Sequence, residues 1–108
     1  MPRSHLAELE EQVLLALIRL GGEAYAGRVA DVLAERTGRD VSPATTFMVM
    51  RRLEQHGLLT SRVEEAESSW GGRPRRVYAV KMKAAVPLLR ASRRARLALW
   101  DGIEGIIK

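Results

Sequence analysis

The chain has 108 residues, of which 46% are apolar, and its formal net charge is +5. This length fits about one domain with a modest hydrophobic core. The absence of cysteine excludes disulfides, thiolate metal sites and cysteine nucleophiles. The two histidines, His5 and His56, are too far apart in sequence to form a local ligand pair, so we expect neither a metal nor another cofactor.

The start of the chain carries no sign of export or of a membrane anchor. The sequence MPRSHLAELEEQ becomes charged too soon for a signal peptide. No apolar run approaches the ~20 residues that span a bilayer. We therefore expect a cytoplasmic protein without a membrane partner.

The charge is distributed unevenly along the chain. Residues 1–40 hold five basic and seven acidic side chains, whereas residues 41–108 hold thirteen basic and six acidic ones. Residues 73–96 contain nine Lys or Arg and no Asp or Glu. Such a density favours binding to a polyanion, either nucleic acid or an anionic membrane surface. The alternative is a basic face that is only solvated.

Two short helices are predicted in the first forty residues. Apolar residues recur at helical spacing over residues 6–20, and Ser4 is a plausible N-cap before them. A second helix is predicted to begin near Ala24, with Tyr25 on its apolar face. Gly38 is the predicted end of this helix, because glycine adopts the left-handed conformation that terminates helices.

The run VSPATTFMVMRRLEQHG predicts a third helix with clear signals at both ends. Ser42 can cap it, Pro43 fits its first position, and Gly57 suits the left-handed residue after its last turn. The positions predicted to face the core are Val49 and Leu53, together with either Thr46 or Met50.

A β-hairpin and a long helix complete the predicted elements. Residues 58–63 and 76–80 are strand-like runs joined by a loop that is acidic first and basic afterwards. Residues 82–107 return to helical periodicity, and Pro87 is tolerable there only in the first turn. The apolar stripe of this helix comprises Val86, Leu89, Leu97, Trp100, Ile103 and Ile107.

This order of elements predicts a mostly α fold with a small β-hairpin, the winged helix-turn-helix, followed by a C-terminal dimerisation helix. We assign residues 1–81 to the DNA-binding domain and residues 82–108 to the dimerisation helix, in one compact unit. In this motif the second helix enters the major groove of DNA and the hairpin forms the wing. The third helix is therefore the predicted recognition helix.

Two groups of residues are candidates for DNA contacts. The third helix should present small, polar and basic side chains opposite its core positions, where they can reach phosphates and base edges. These are Ala44, Thr45, Met48, Arg51 and Arg52. The wing tip adds Arg73, Arg75 and Arg76, of which the last two should point to opposite sides of the strand. The alternative is an amphipathic helix whose arginines are merely solvated.

The C-terminal helix has several interpretations. Its stripe requires a partner, so pairing about a two-fold axis is an economical solution, and packing onto the first helix of the same chain is the alternative. A membrane-surface helix is disfavoured because Arg93 interrupts the stripe. Neither histidine lies in a catalytic motif, and phosphate-cradling glycines and paired carboxylates are lacking. We therefore do not expect an enzyme.

These motifs resemble the PadR family of bacterial transcriptional regulators, in particular its short members. The most specific matches are residues 52–54 with residues 57–58 at the end of the recognition helix, and residues 72–78 in the wing. Ala44, Thr46 and Phe47 stand where the family has glycine, leucine and tyrosine. Before the last helix, residues 80–81 are Val-Lys where relatives often have Leu-Thr, so the capping threonine is absent.

The resemblance implies a homodimeric repressor of double-stranded operator DNA. The family motif at the start of the recognition helix adds Ser42 and Phe47 to the predicted DNA-binding residues. The resemblance also implies dimerisation through the C-terminal stripe and, in some members, a small aromatic effector between the two helices, against which Trp100 would stack. The competing hypothesis is a winged-helix protein-interaction module that does not bind DNA specifically.

Overall fold

The computed structural model describes residues 5–65 and 74–107 and contains four helices and three strands in those ranges. In chain order they are α1 (Glu8–Arg19), β1 (Glu23–Ala24), α2 (Ala26–Thr37), α3 (Pro43–Gln55), β2 (Leu59–Glu64), β3 (Arg75–Val80) and α4 (Met82–Trp100). This confirms the mostly α fold with a small antiparallel sheet and a long last helix.

Helix α1 begins later than its apolar pattern predicted. Ala7, with extended backbone, takes the N-cap position, and its amide donates to Glu10 Oε1 at 2.8 Å. The expected cap at Ser4 is therefore wrong, although Ser4 itself lies outside the described residues. The Glu10 side chain thus supplies an acceptor for the Ala7 amide, which has none in the helix backbone.

A short strand, β1, stands where the second helix was predicted to start. Glu23 and Ala24 pair with Ala79 and Tyr78 of β3, so Tyr25 becomes the N-cap of α2 instead of a residue on its apolar face. The predicted end of α2 is confirmed, because Gly38 follows it with φ of 71°. The start of α2 depends on the backbone pairing of β1 with β3, which is far away in sequence. Local apolar periodicity therefore could not predict where α2 begins.

Both predicted ends of α3 are confirmed. Ser42 Oγ accepts a hydrogen bond from the Thr45 amide at 3.0 Å, Pro43 occupies the first position, and Gly57 adopts φ of 79°. The residues buried on the inner side of α3 are Thr46, Val49, Met50 and Leu53. Both of the alternative positions, Thr46 and Met50, therefore face the core.

Removing this cap should destabilise the protein measurably. We expect Ser42→Ala to lower the free energy of unfolding by about 1 kcal/mol, because the Thr45 amide loses its acceptor. Urea denaturation measures the change. The matched control is Ser92→Ala: Ser92 Oγ is buried without a hydrogen-bond partner in the described part of the chain, so its removal should cost nothing. Equal losses in both variants would contradict the capping role.

The sheet has three antiparallel strands in the order β1-β3-β2. In β2 and β3, Leu59 lies opposite Val80 and Glu64 lies opposite Arg75. The predicted hairpin is therefore present, and β1 extends it to three strands. Since side chains alternate across a strand, Leu59 and Tyr78 share the inner face, and both are buried.

The core lies between α1, α2, α3 and the inner face of the sheet. Its largest member is Tyr78, whose ring packs against that of Phe47 in a T-shaped arrangement with 6.1 Å between the ring centroids. The other buried residues of the first three helices include Val13, Leu14, Leu17, Val29, Leu33, Val49, Met50 and Leu53. The core therefore holds α3 and the wing strands in one packed body.

Helix α4 differs from its predicted form in two ways and agrees with it in a third. It ends at Trp100 and is followed by a run of turns over residues 101–106, so Ile103 and Ile107 lie beyond the helix and the prediction of a helix to residue 107 is wrong. Pro87 lies in the second turn, not the first. Lys81 is the N-cap and makes no side-chain capping bond, which confirms that the cap is absent.

Candidate nucleic-acid interface

The outer face of α3 carries the side chains that the sequence assigned to it. The exposed residues there are Ala44, Thr45, Met48, Arg51 and Arg52, and Met48 is 65% exposed. A ridge with small residues at the N-terminal end and arginines at the other end suits close approach to a DNA groove.

Ser42 and Thr45 form a small hydroxyl pair at the N-terminus of α3. Ser42 Oγ accepts from the Thr45 amide and donates to Thr45 Oγ1, both at 3.0 Å. The Ser42 hydroxyl is therefore engaged within the protein, whereas the Thr45 hydroxyl can donate its proton outward. Thr45 is the better placed of the two to contact a phosphate or a base edge.

The two neighbouring arginines of α3 have different surroundings. Arg51 makes no hydrogen bond or ion pair within residues 5–65 and 74–107. Arg52 donates from Nε to Glu10 Oε2 at 3.3 Å, and its side chain remains 52% exposed. Among the described residues Arg51 therefore has no bonding partner, while Arg52 is bound to α1 by one of its nitrogens.

Phe47 does not lie on the exposed outer face. Its side chain is half-buried and packs against the core through Tyr78. Phe47 therefore lies on the side of α3 that faces the sheet and supports the packing of α3 on it. A role for Phe47 in binding DNA stays a prediction.

Arg76 lies on the α3 side of the hairpin. Its Nη1 donates to Ser61 Oγ at 3.1 Å, and Ser61 donates in turn to Glu54 Oε2 at 2.6 Å. Burial raises the pKa of the Tyr78 phenol, Glu54 raises it further, and the charges of Arg76 and Arg51 oppose this rise. The guanidinium groups of Arg76 in the wing and Arg51 in the recognition helix therefore both lie near enough to Tyr78 to affect its pKa.

Arg75 lies on the other side of the sheet. Its guanidinium carbon stands 4.6 Å from the centroid of the Tyr25 ring, in cation–π geometry. This confirms that Arg75 and Arg76 point to opposite sides of β3. Arg73 lies outside the described residues.

An ion pair across the sheet joins the middle of β2 to β1. Arg62 donates to both carboxylate oxygens of Glu23, at 2.8 and 2.9 Å. The hydrogen bonds and the charge of Arg62 lower the pKa of Glu23. This pair fixes β1 against the wing on the outer face of the sheet, beside Arg75.

The stripe of α4 divides into a packed half and an exposed half. Leu89 is buried and Val86 is half-buried, and Arg96 Nη2 donates to Glu11 Oε2 of α1 at 2.6 Å. The N-terminal part of the stripe thus packs on its own chain, and the ion pair of Arg96 ties the later part of α4 to α1. The C-terminal part of the stripe is uncovered in the single chain. It consists of Leu97 and Trp100 in α4 with Ile103 and Ile107 beyond the end of the helix, and these residues are between 38% and 56% exposed.

Sequence reasoning missed the acidic residues that support this interface. Glu10 shares helical spacing with Val13, Leu14 and Leu17, which is the signal that its side chain faces inward. Glu54 carries no such signal, because its contact with Ser61 depends on how β2 returns along α3.

Other kinds of site find little support in the described part of the chain. Its His, Asp and Glu residues form no group of three that could hold a metal ion. None of the helices in the same ranges is long and apolar enough to cross a membrane.

The sequence matches no protein-family model and no curated protein. Solved structures do match. A PadR-family transcriptional regulator from Eggerthella lenta shares 29% identity with a TM-score of 0.69, covering 94% of this chain and 87% of that one. A transcriptional regulator from Clostridium thermocellum shares 17% identity with a TM-score of 0.70, covering 93% of each chain.

A further structure has the same fold. It is a PadR-family transcription regulator from Clostridium difficile, with 20% identity and a TM-score of 0.56 over 90% of this chain and 93% of that one. These neighbours confirm the winged helix-turn-helix fold and the likeness to PadR regulators that the motifs predicted. All three are transcriptional regulators.

Proposed function

We propose that this chain, whose structural neighbours are PadR-family transcriptional regulators, is a sequence-specific DNA-binding regulator that acts as a homodimeric repressor in the cytoplasm. The observation that carries the proposal is the exposed face of α3, where the Thr45 hydroxyl, which accepts from Ser42 and can still donate its proton, lies with Arg51 and Arg52. Occupying an operator would exclude the polymerase from the promoter.

Recognition follows from the chemistry of that face. Inserted into the major groove, Thr45 donates to an acceptor, Met48 offers apolar contact to a thymine methyl group, and the arginines suit guanine or phosphate. The wing arginines 73, 75 and 76 supply sequence-independent attraction to phosphates or to the minor groove. Residues 1–81 would thus bind DNA.

Dimerisation is assigned to residues 82–108. The exposed apolar half of this segment, from Leu97 to Ile107, would be covered by the same segment of a second copy about a two-fold axis. Two recognition helices related by that axis would read a palindrome. A small aromatic effector stacked on Trp100 between the two copies would relieve repression; this part of the proposal rests on the PadR resemblance.

The salt dependence of operator binding tests the electrostatic part of the proposal. We expect log K to fall steeply and linearly with log salt, and Arg51→Ala to reduce the slope by about 1, because one phosphate contact is lost. Fluorescence anisotropy with a labelled duplex measures both. Arg19→Ala, an exposed arginine on α1, is the charge-matched control and should leave the slope unchanged. A slope near zero for the wild type would contradict the proposal.

A further inference from the structure

Two consecutive glutamates of α1 are buried and face different helices. Glu10 is 1% exposed and Glu11 is 6% exposed. Glu10 pairs with Arg52 of α3 at 3.3 Å, whereas Glu11 pairs with Arg96 of α4 at 2.6 Å. One carboxylate is therefore directed toward the recognition helix and the other toward the C-terminal helix.

The carboxylate of Glu10 is held in place on both of its oxygens. Oε1 accepts from the Ala7 amide at 2.8 Å, and Oε2 accepts from Arg52 Nε at 3.3 Å. A buried carboxylate is costly unless it is paired and hydrogen-bonded, so this arrangement restrains the Arg52 side chain as well. Only Nε of Arg52 takes part in this ion pair. The terminal nitrogens of Arg52 make no hydrogen bond with the described residues.

We propose that Glu10 is a positioning residue for DNA recognition, which orients the Arg52 guanidinium so that its terminal nitrogens meet the DNA. The inference rests on the proposed function. A planar guanidinium that is already oriented loses less side-chain entropy on forming a bidentate contact. Arg51, which has no such partner in the described part of the chain, would supply attraction without fixed geometry. Glu10 would therefore raise specificity, although its own negative charge opposes DNA binding.

The charge of Glu10 and its orientation of Arg52 should affect DNA affinity in opposite directions, so the Glu10→Gln variant can distinguish the two effects. The variant removes one negative charge, so simple electrostatics predicts tighter binding to every duplex. Loss of the Arg52 orientation instead predicts weaker binding to the operator, with no weakening for random duplex. We expect the ratio of operator to random-duplex affinity to fall about tenfold, within the range of one good bidentate contact.

A double-mutant cycle on an operator selected from random duplexes tests the inference. The proteins are the wild type, Glu10→Gln, Arg52→Gln and the double variant, and affinity is measured for the operator and for random duplex. We expect Glu10→Gln to have no further effect on specificity once Arg52 is glutamine, because Glu10 acts through Arg52. Glu11→Gln, with the same charge change and a partner on α4, should be additive with Arg52→Gln.

Several outcomes would overturn the inference. Additive effects of Glu10→Gln and Arg52→Gln would show that Glu10 acts independently of Arg52. If Glu10→Gln fails to fold, Arg52→Lys decides, because it keeps a cation near Glu10 but lacks the guanidinium fork; unchanged specificity would then refute the proposal. A wild type that selects no sequence would remove the proposed function and this inference together, whereas additivity on a selected operator removes this inference alone.

Discussion

A variant with Arg73, Arg75 and Arg76 replaced by alanine is expected to lose operator affinity by a factor on the order of 100 or more, since three phosphate or minor-groove contacts disappear. Its fold should persist, because Arg75 is exposed over Tyr25 and Arg76 contacts the surface hydroxyl of Ser61. Anisotropy titration at constant salt measures the affinity, and circular dichroism during urea unfolding measures the fold.

The control for the wing variant matches its loss of charge. Arg19, Arg36 and Arg90 are exposed arginines on α1, α2 and α4, and replacing all three by alanine lowers the net charge equally. This control should lose only a small part of the affinity. Equal losses in the two variants would show that net charge, not the wing, governs binding, and would favour the protein-interaction module without specific DNA binding.

Replacing Leu97 by glutamate is expected to convert the dimer to monomers at micromolar concentration. Leu97 is 56% exposed in the single chain, and the two-fold axis would bring its carboxylate into the interface twice. Burying unpaired carboxylates in an apolar contact should raise the dissociation constant about 100-fold or more. Operator affinity should fall with it, because a monomer reads one half-site.

Sedimentation equilibrium measures this change directly. The matched control is Leu99→Glu, since Leu99 lies on the same helix, is 78% exposed and does not belong to the stripe. It should sediment as the wild type does. A monomeric wild type, or equal dissociation in both variants, would refute dimerisation through this stripe.

The recognition helix was predictable because its signals are local. Ser42, Pro43 and Gly57 mark its ends by their own backbone chemistry, and the spacing of Val49 and Leu53 sets its buried face. Its exposed face then follows by elimination. Local rules of this kind made the outer side chains of the candidate site readable from sequence.

Features set by distant contacts were not predictable. Strand β1 has two residues and exists only through pairing with β3. The end of α4 is an exception, because it has a local signal, Gly102 with φ of 85°, although the apolar period continues past Trp100. The ion pair of Glu10 and Arg52 joins residues 42 positions apart, and no local pattern indicates which cation meets a buried carboxylate.

Selection from random duplex DNA with the purified protein, at two salt concentrations, tests the central claim most directly. We expect enrichment of one palindromic motif that persists at the higher salt, since base contacts by two symmetric α3 helices add specificity to the electrostatic attraction. Recovery of unrelated sequences that dissociate at the higher salt would contradict sequence-specific regulation and leave a general polyanion-binding surface.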